Sequence, residues 1–278
     1  MAEKIITFGK RRQTSTTAIL VIGALLLLIY HFFGFRFPRL VFVSGWTLLG
    51  LMLFLTAYNG RKKLPFLPVA TSETWLQIHI YMGLLAALIF GMHISFRLPT
   101  GIFESILALL FVLVTLSGLT GLWISRTIPK RLTARGGEVI FEQIPFERRR
   151  LQLKARELAI SAVDKTRSTT VADFYASSLE EFFQKPANLW SHILESKIRP
   201  NRLPARVNEM KRYLNEEERR IMTEIGQLIE AKNTLDYHYS LQMALKLWLF
   251  THIPLTYGLL VFSAVHVALV YAFSSAAG

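Results

Sequence analysis

The chain has 278 residues, 52% of them apolar, a mean hydropathy of +0.35 and a formal net charge of +13. It is too apolar for a water-soluble domain, and its long uncharged runs alternate with basic segments, as in a polytopic membrane protein. Having no cysteine, it is excluded from structural disulfides, thiolate-bound zinc or iron–sulfur clusters, and attachment of a cofactor through Cys-x-x-Cys-His.

The basic segment Met1–Thr17 precedes an apolar run that reaches Phe33 without a small-residue cleavage site. It reads as a retained first helix, not a cleaved signal. Further apolar runs follow at Leu40–Tyr58, Trp75–Phe96, Ile102–Ile124 and Leu245–Phe273, the first run being Ala18–Phe33. At 1.5 Å per residue each covers about 30 Å of hydrocarbon, the first with help from its flanks. Backbone groups in lipid must bond internally, and strand alternation is absent, so the expected fold is all-α, a bundle of five spans.

Lys4, Lys10, Arg11 and Arg12 precede the first span, Arg61, Lys62 and Lys63 follow the second, and Arg126, Lys130, Arg131 and Arg135 follow the fourth. The opposite side carries only Arg36, Arg39 and Arg97. The positive-inside rule therefore predicts a bacterial inner-membrane protein with a cytoplasmic N-terminus and a periplasmic C-terminus. The excess charge meets anionic lipid, and nucleic acid is not expected as a partner. Three parts follow: 1–125 with spans one to four, a helical cytoplasmic insert at 126–244, and 245–278 with span five and a short outer tail. In the insert, Arg148–Ile160 and Val171–Gln184 read as short helices. Arg206–Leu235 reads as a longer amphipathic one, apolar at Val207, Met210, Leu214, Ile221, Ile225 and Leu228, with prolines 186, 200 and 204 as punctuation. Glu216-Glu217-Glu218-Arg219-Arg220 reads as a solvated face, and no glycine-rich phosphate loop or dinucleotide fingerprint is present.

Four of the seven histidines lie well inside spans: His79 and His93 in the third, His252 and His266 in the fifth, each pair 14 positions apart. Fourteen residues fall about 40° short of four full turns, so both histidines share a face, about 21 Å apart along the axis. The topology makes spans three and five parallel. Packed together, they set His79 opposite His252 near the cytoplasmic side and His93 opposite His266 near the outer side. Each facing pair can ligate one iron axially, which predicts two b-type haems stacked across the bilayer. A single small ion cannot bridge the two levels, and no carboxylate accompanies them.

The segment Trp75-Leu76-Gln77-Ile78-His79 with Gly83 and His93 resembles the third helix of the ferric-reductase-like transmembrane domain, the family that includes the NADPH oxidases. Trp248, His252, Tyr257 and His266 are similar to its fifth helix, and Leu116-Ser117-Gly118-Leu119-Thr120-Gly121 with Arg126 to its fourth. The same histidine spacing occurs in cytochrome b of the quinol-oxidising bc complexes. The resemblance covers under half the chain and implies two haems b held by His79, His93, His252 and His266. No sixth helix and no FAD/NADPH module is expected after Phe273, which favours a subunit of a larger electron-transfer complex over a self-sufficient reductase.

Gly83, Gly91, Gly118 and Gly121 are candidates for close approach of a flat macrocycle, or for ordinary helix packing. Arg97 and Arg126 are candidates for pairing with haem propionates, or for topology anchoring. Trp75, Trp123, Trp248 and Tyr271 read as an interface belt, His31 as interfacial, His192 as an insert residue, and His238 as a remote candidate third centre. Glu104, the one acid inside the spans, is a candidate proton acceptor for quinol or a headgroup-exposed residue.

The expected function is a one-electron conduit between a quinone or cytoplasmic donor and a periplasmic cytochrome or iron–sulfur protein, with a quinone as a further candidate ligand. A self-standing quinol- or metal-reducing oxidoreductase is one alternative. A non-haem transporter or assembly protein with a histidine proton relay is the other.

Overall fold

The structure is a computed structural model that describes residues 8–33, 39–61, 71–135, 139–195 and 203–274. Lys4, Arg36, Lys62, Lys63 and Pro200 lie outside the described residues. No strand occurs among the described residues, and five helices are long and apolar enough to cross a membrane. These are α1 (Phe8–Phe33), α2 (Arg39–Arg61), α3 (Ser72–His93), α4 (Ile102–Ala134) and, last in the chain, α10 (Glu216–Ser274). Two compact units result, one of Met1–Leu122 with Leu249–Gly278 and one of Trp123–Trp248. Both α4 and α10 contribute residues to each unit.

In the first unit, α3 packs on α2 and α1. Its core is Leu48 and Met52 of α2, Ala86 and Ile89 of α3, Phe111 of α4 and Leu259 of α10. Phe90 and Phe111 stack with centroids 4.1 Å apart. Side chains such as Leu20, Leu28, Val43 and Val261 face outward, as an apolar helix surface does where lipid replaces water.

Local signals fix the helix ends that matter for the site. Thr71 caps α3, its Oγ1 accepting the Thr74 N–H at 3.3 Å. At the other end the Ser95 N–H donates to the Met92 carbonyl and the Phe96 N–H to that of Gly91, with φ 53° at both Ser95 and Phe96. Two successive left-handed non-glycine residues stop the helix directly after His93. A Cβ on Gly91 would stand 2.7 Å from the Phe96 ring, so Gly91 makes room for this turn. At the start of α4, the Glu104 carboxylate folds over Gly101, where a Cβ would collide with it.

The second unit contains α5 (Ile144–Thr166), α6 (Thr170–Phe174), α7 (Glu180–Gln184), α8 (Leu189–Ile193), α9 (Leu203–Met210) and the first part of α10. A π-helical turn at Tyr175–Leu179 joins α6 to α7. Alanines 155, 159 and 162 of α5 pack against Ile221, Met222, Ile225 and Ile229 of α10, with Val171, Leu179 and Phe183 closing the core. Here the outcome differs from the expectation of a helix at Arg206–Leu235 and a separate span at Leu245–Phe273. The first of these begins as α9 and a 3-10 turn, and α10 then continues for 59 residues. Nothing in residues 236–244 breaks a helix, and Tyr237 and Leu241 are buried against Ile124 and Ile128, which holds that stretch helical.

Candidate functional site

Helices α3 and α10 carry the four span histidines, all of which lie in the first unit. The His93 and His266 rings have centroids 6.5 Å apart and stand at 89° to each other. Each ring is partly buried.

Helix α2 fixes the His93 ring. Nδ1 lies 3.2 Å from the Val41 carbonyl and 3.2 Å from Ser44 Oγ, and the Ser44 hydroxyl donates to the same carbonyl at 2.9 Å. A carbonyl only accepts, so the proton sits on Nδ1 and is shared with Ser44 Oγ. Nε2 then carries the free lone pair, the form in which a histidine ligates a metal. A Cβ on Gly45 would lie 3.0 Å from Cε1 of His93, so glycine lets α2 pass this close to the ring.

The other three rings have different surroundings. Nδ1 of His252 is hydrogen-bonded with the Ser117 hydroxyl at 3.2 Å. The His266 ring stacks on Phe103 at 6.4 Å and 14°, and Phe103 stacks in turn on Phe262. Tyr58 covers His79 with centroids 5.1 Å apart, and the ring meets the backbone of Leu55 on α2.

The remaining candidates divide. A Cβ on Gly83 meets nothing within 4 Å, and the same holds for Gly258 between the two α10 histidines, so both leave room beside their helix. Gly118 stands next to His252, its Cβ position 3.9 Å from Cε1, a distance at which alanine also fits. Arg97 is exposed in the turn that follows His93. Arg126 is exposed on α4 and belongs to the second unit. Glu104 is exposed and occupied with the start of α4. Trp46 donates to the Tyr271 hydroxyl at 3.2 Å, and Trp75 stacks on Phe54. His31 is exposed beside Phe32. Sequence reading missed Val41, Ser44, Gly45 and Phe103. The dipeptide Ser44-Gly45 in an otherwise apolar run was the only available signal.

His192 and His238 belong to the second unit, and Nε2 of each is buried without a partner. Burial, with Arg135, Lys232 and Arg131 nearby, pushes His192 down to about 4. Arg131 donates to the carbonyls of His192 and Ile193 and pairs with Glu195 at 2.8 Å. It therefore clamps the end of α8 as well as contributing to the charge pattern. Among the described residues, no group of three or more His, Asp or Glu side chains is placed to share a metal ion.

No protein-family model matches the chain, and neither a curated protein nor a solved structure matches it.

Proposed function

We propose that the protein is a dihaem membrane cytochrome, with one haem b held by His79 and His252 and a second by His93 and His266. The observation that carries this is the perpendicular pairing of His93 and His266 at 6.5 Å. Two imidazoles bonded to one metal through nitrogens about 2 Å away have ring centres about 6 Å apart. The proton on Nδ1 of His93 and the room beside Gly83 and Gly258 suit the same reading.

Bound between two imidazoles, a haem iron has no open coordination position and supplies reversible one-electron transfer. The chain's own residues hold the ligands. The Val41 carbonyl and Ser44 orient His93, Ser117 holds His252, and Phe103 fixes the plane of His266. Arg97, four residues beyond His93, is the candidate for a propionate at the outer level. With two levels about 21 Å apart along α3, the protein serves as a transmembrane wire within an oxidoreductase complex. It links a quinone or cytoplasmic donor to a periplasmic cytochrome or iron–sulfur partner.

The test is a dithionite-reduced minus oxidised spectrum of the purified protein, with haem extracted and counted per chain. The expected result is a b-type α-band and two haems, falling to one in His79→Ala and to one in His93→Ala. A protein without a b-type band overturns the proposal and leaves the histidine proton relay as the reading of these residues.

A further inference from the structure

We infer that Ser44, together with the Val41 carbonyl, is a positioning residue that sets both the metal-facing nitrogen of His93 and the midpoint potential of the haem it ligates. This rests on the haem reading above and extends it to one side chain of α2. Three hydrogen bonds close on one another at this point. Ser44 donates to the Val41 carbonyl at 2.9 Å, and Nδ1–H of His93 is divided between that carbonyl and Ser44 Oγ at 3.2 Å each. With Nδ1 carrying its proton in these bonds, a neutral His93 leaves Nε2 bare.

The arrangement has an electronic consequence. A hydrogen bond from Nδ1–H to a fixed acceptor draws the proton outward and raises the basicity of the nitrogen opposite. A more basic imidazole stabilises ferric over ferrous iron, so the bond lowers the potential. His79 meets the backbone of Leu55, also on α2, and His252 meets a hydroxyl, which can donate as readily as accept. A backbone acceptor on α2 therefore serves both α3 histidines, and the hydroxyl of Ser44, bonded to both Nδ1 and the Val41 carbonyl, is what belongs to the His93 level. Gly45 is part of the same device, since a side chain there would press on Cε1 at 3.0 Å and break the alignment.

The experiment is a spectroelectrochemical titration of the purified holoprotein, wild type against Ser44→Ala and Ser44→Thr. His79→Ala and His93→Ala assign each one-electron step to its haem. Ser44→Ala is expected to shift the His93 step threefold to tenfold toward the ferrous form, about 30–60 mV upward at 59 mV per tenfold for one electron. The other step stays in place, and Ser44→Thr, which keeps the hydroxyl, restores the wild-type value. A second readout needs no haem. In ¹⁵N-histidine-labelled apoprotein, with His93→Gln for assignment, Nδ1 of His93 should be the protonated nitrogen. Haem present with neither step moved, or both moved equally, overturns the inference while the cytochrome reading stands. So does a proton found on Nε2. Absence of any b-type band instead overturns the cytochrome reading and leaves the nitrogen measurement to decide the tautomer.

Discussion

Lys232 and Asp236 form an ion pair in the second unit with neither side chain exposed. Their i, i+4 spacing on α10 is that of ordinary surface pairs, which is why the sequence gives no hint of burial. Inside, Lys232 also donates to the Lys185 carbonyl at 2.8 Å and lies over the Phe182 ring, and Asp236 accepts the Ala187 N–H at 3.0 Å. Removing one partner leaves an uncompensated buried charge, so Asp236→Ala should cost about 3–5 kcal/mol, whereas Lys232→Met with Asp236→Leu should cost much less. Thermal unfolding in detergent reads the difference, and equal losses in the two variants would contradict it. His192 gives a second test. Its folded value of about 4 lies below the usual 6.5, so as pH falls from 6.5 toward 4 the unfolded chain takes up a proton the folded one refuses. Stability should drop over that window, and His192→Gln should flatten the drop; an unchanged profile would show that other groups cause it. The four span histidines were legible because their spacing repeats on two helices. Ser44, Gly45 and Phe103 were not, because their contact with a histidine depends on how each helix is rotated against its neighbours, which one helix's sequence does not encode.

The start of α10 shows how a short motif decides an element. Asn215 Oδ1 accepts the Glu218 N–H at 2.9 Å, and Glu218 Oε2 accepts the Asn215 N–H at 3.0 Å. The run Glu216-Glu217-Glu218 is therefore not uniformly a solvated face, as read from the sequence: Glu218 is only 4% exposed and closes a reciprocal cap. Asn215→Ala should lower stability by about 0.5–2 kcal/mol. Glu217→Ala, which loses only an exposed pair with Lys165 at 3.8 Å, should change it by less than about 1 kcal/mol. Comparable losses from both, measured by circular dichroism melts, would argue against the cap. The apolar spans themselves were readable from composition, because lipid demands long uninterrupted runs. The join at residues 236–244 was not. Its polar residues look like a linker, and only burial of Tyr237 and Leu241 against α4 within the second unit keeps them helical.

At the scale of the whole molecule, the cytochrome reading depends on which face of the membrane each histidine pair approaches, and the basic residues supply that order. Arg131 has a second task in clamping α8, which weakens it as a pure topology signal, but Arg126 and Lys130 remain exposed beside it. The connection between α3 and α4 carries Arg97 as its one basic residue. On the orientation expected from the positive-inside rule, Leu98 faces outside and Tyr213 inside. The absence of cysteine makes the orientation directly measurable. Leu98 is 91% exposed in the connection after His93, and Tyr213 is 79% exposed in the second unit. A thiol introduced at either place is the sole target of a membrane-impermeant maleimide. In intact spheroplasts, Leu98→Cys should label at once and Tyr213→Cys only after permeabilisation. The reverse pattern would invert the protein, placing His93 and His266 toward the cytoplasm and a donor where the periplasmic acceptor is proposed. Labelling of both from outside would break the parallel arrangement of the third and fifth spans, and with it the reason for pairing His79 with His252 and His93 with His266 in the first place.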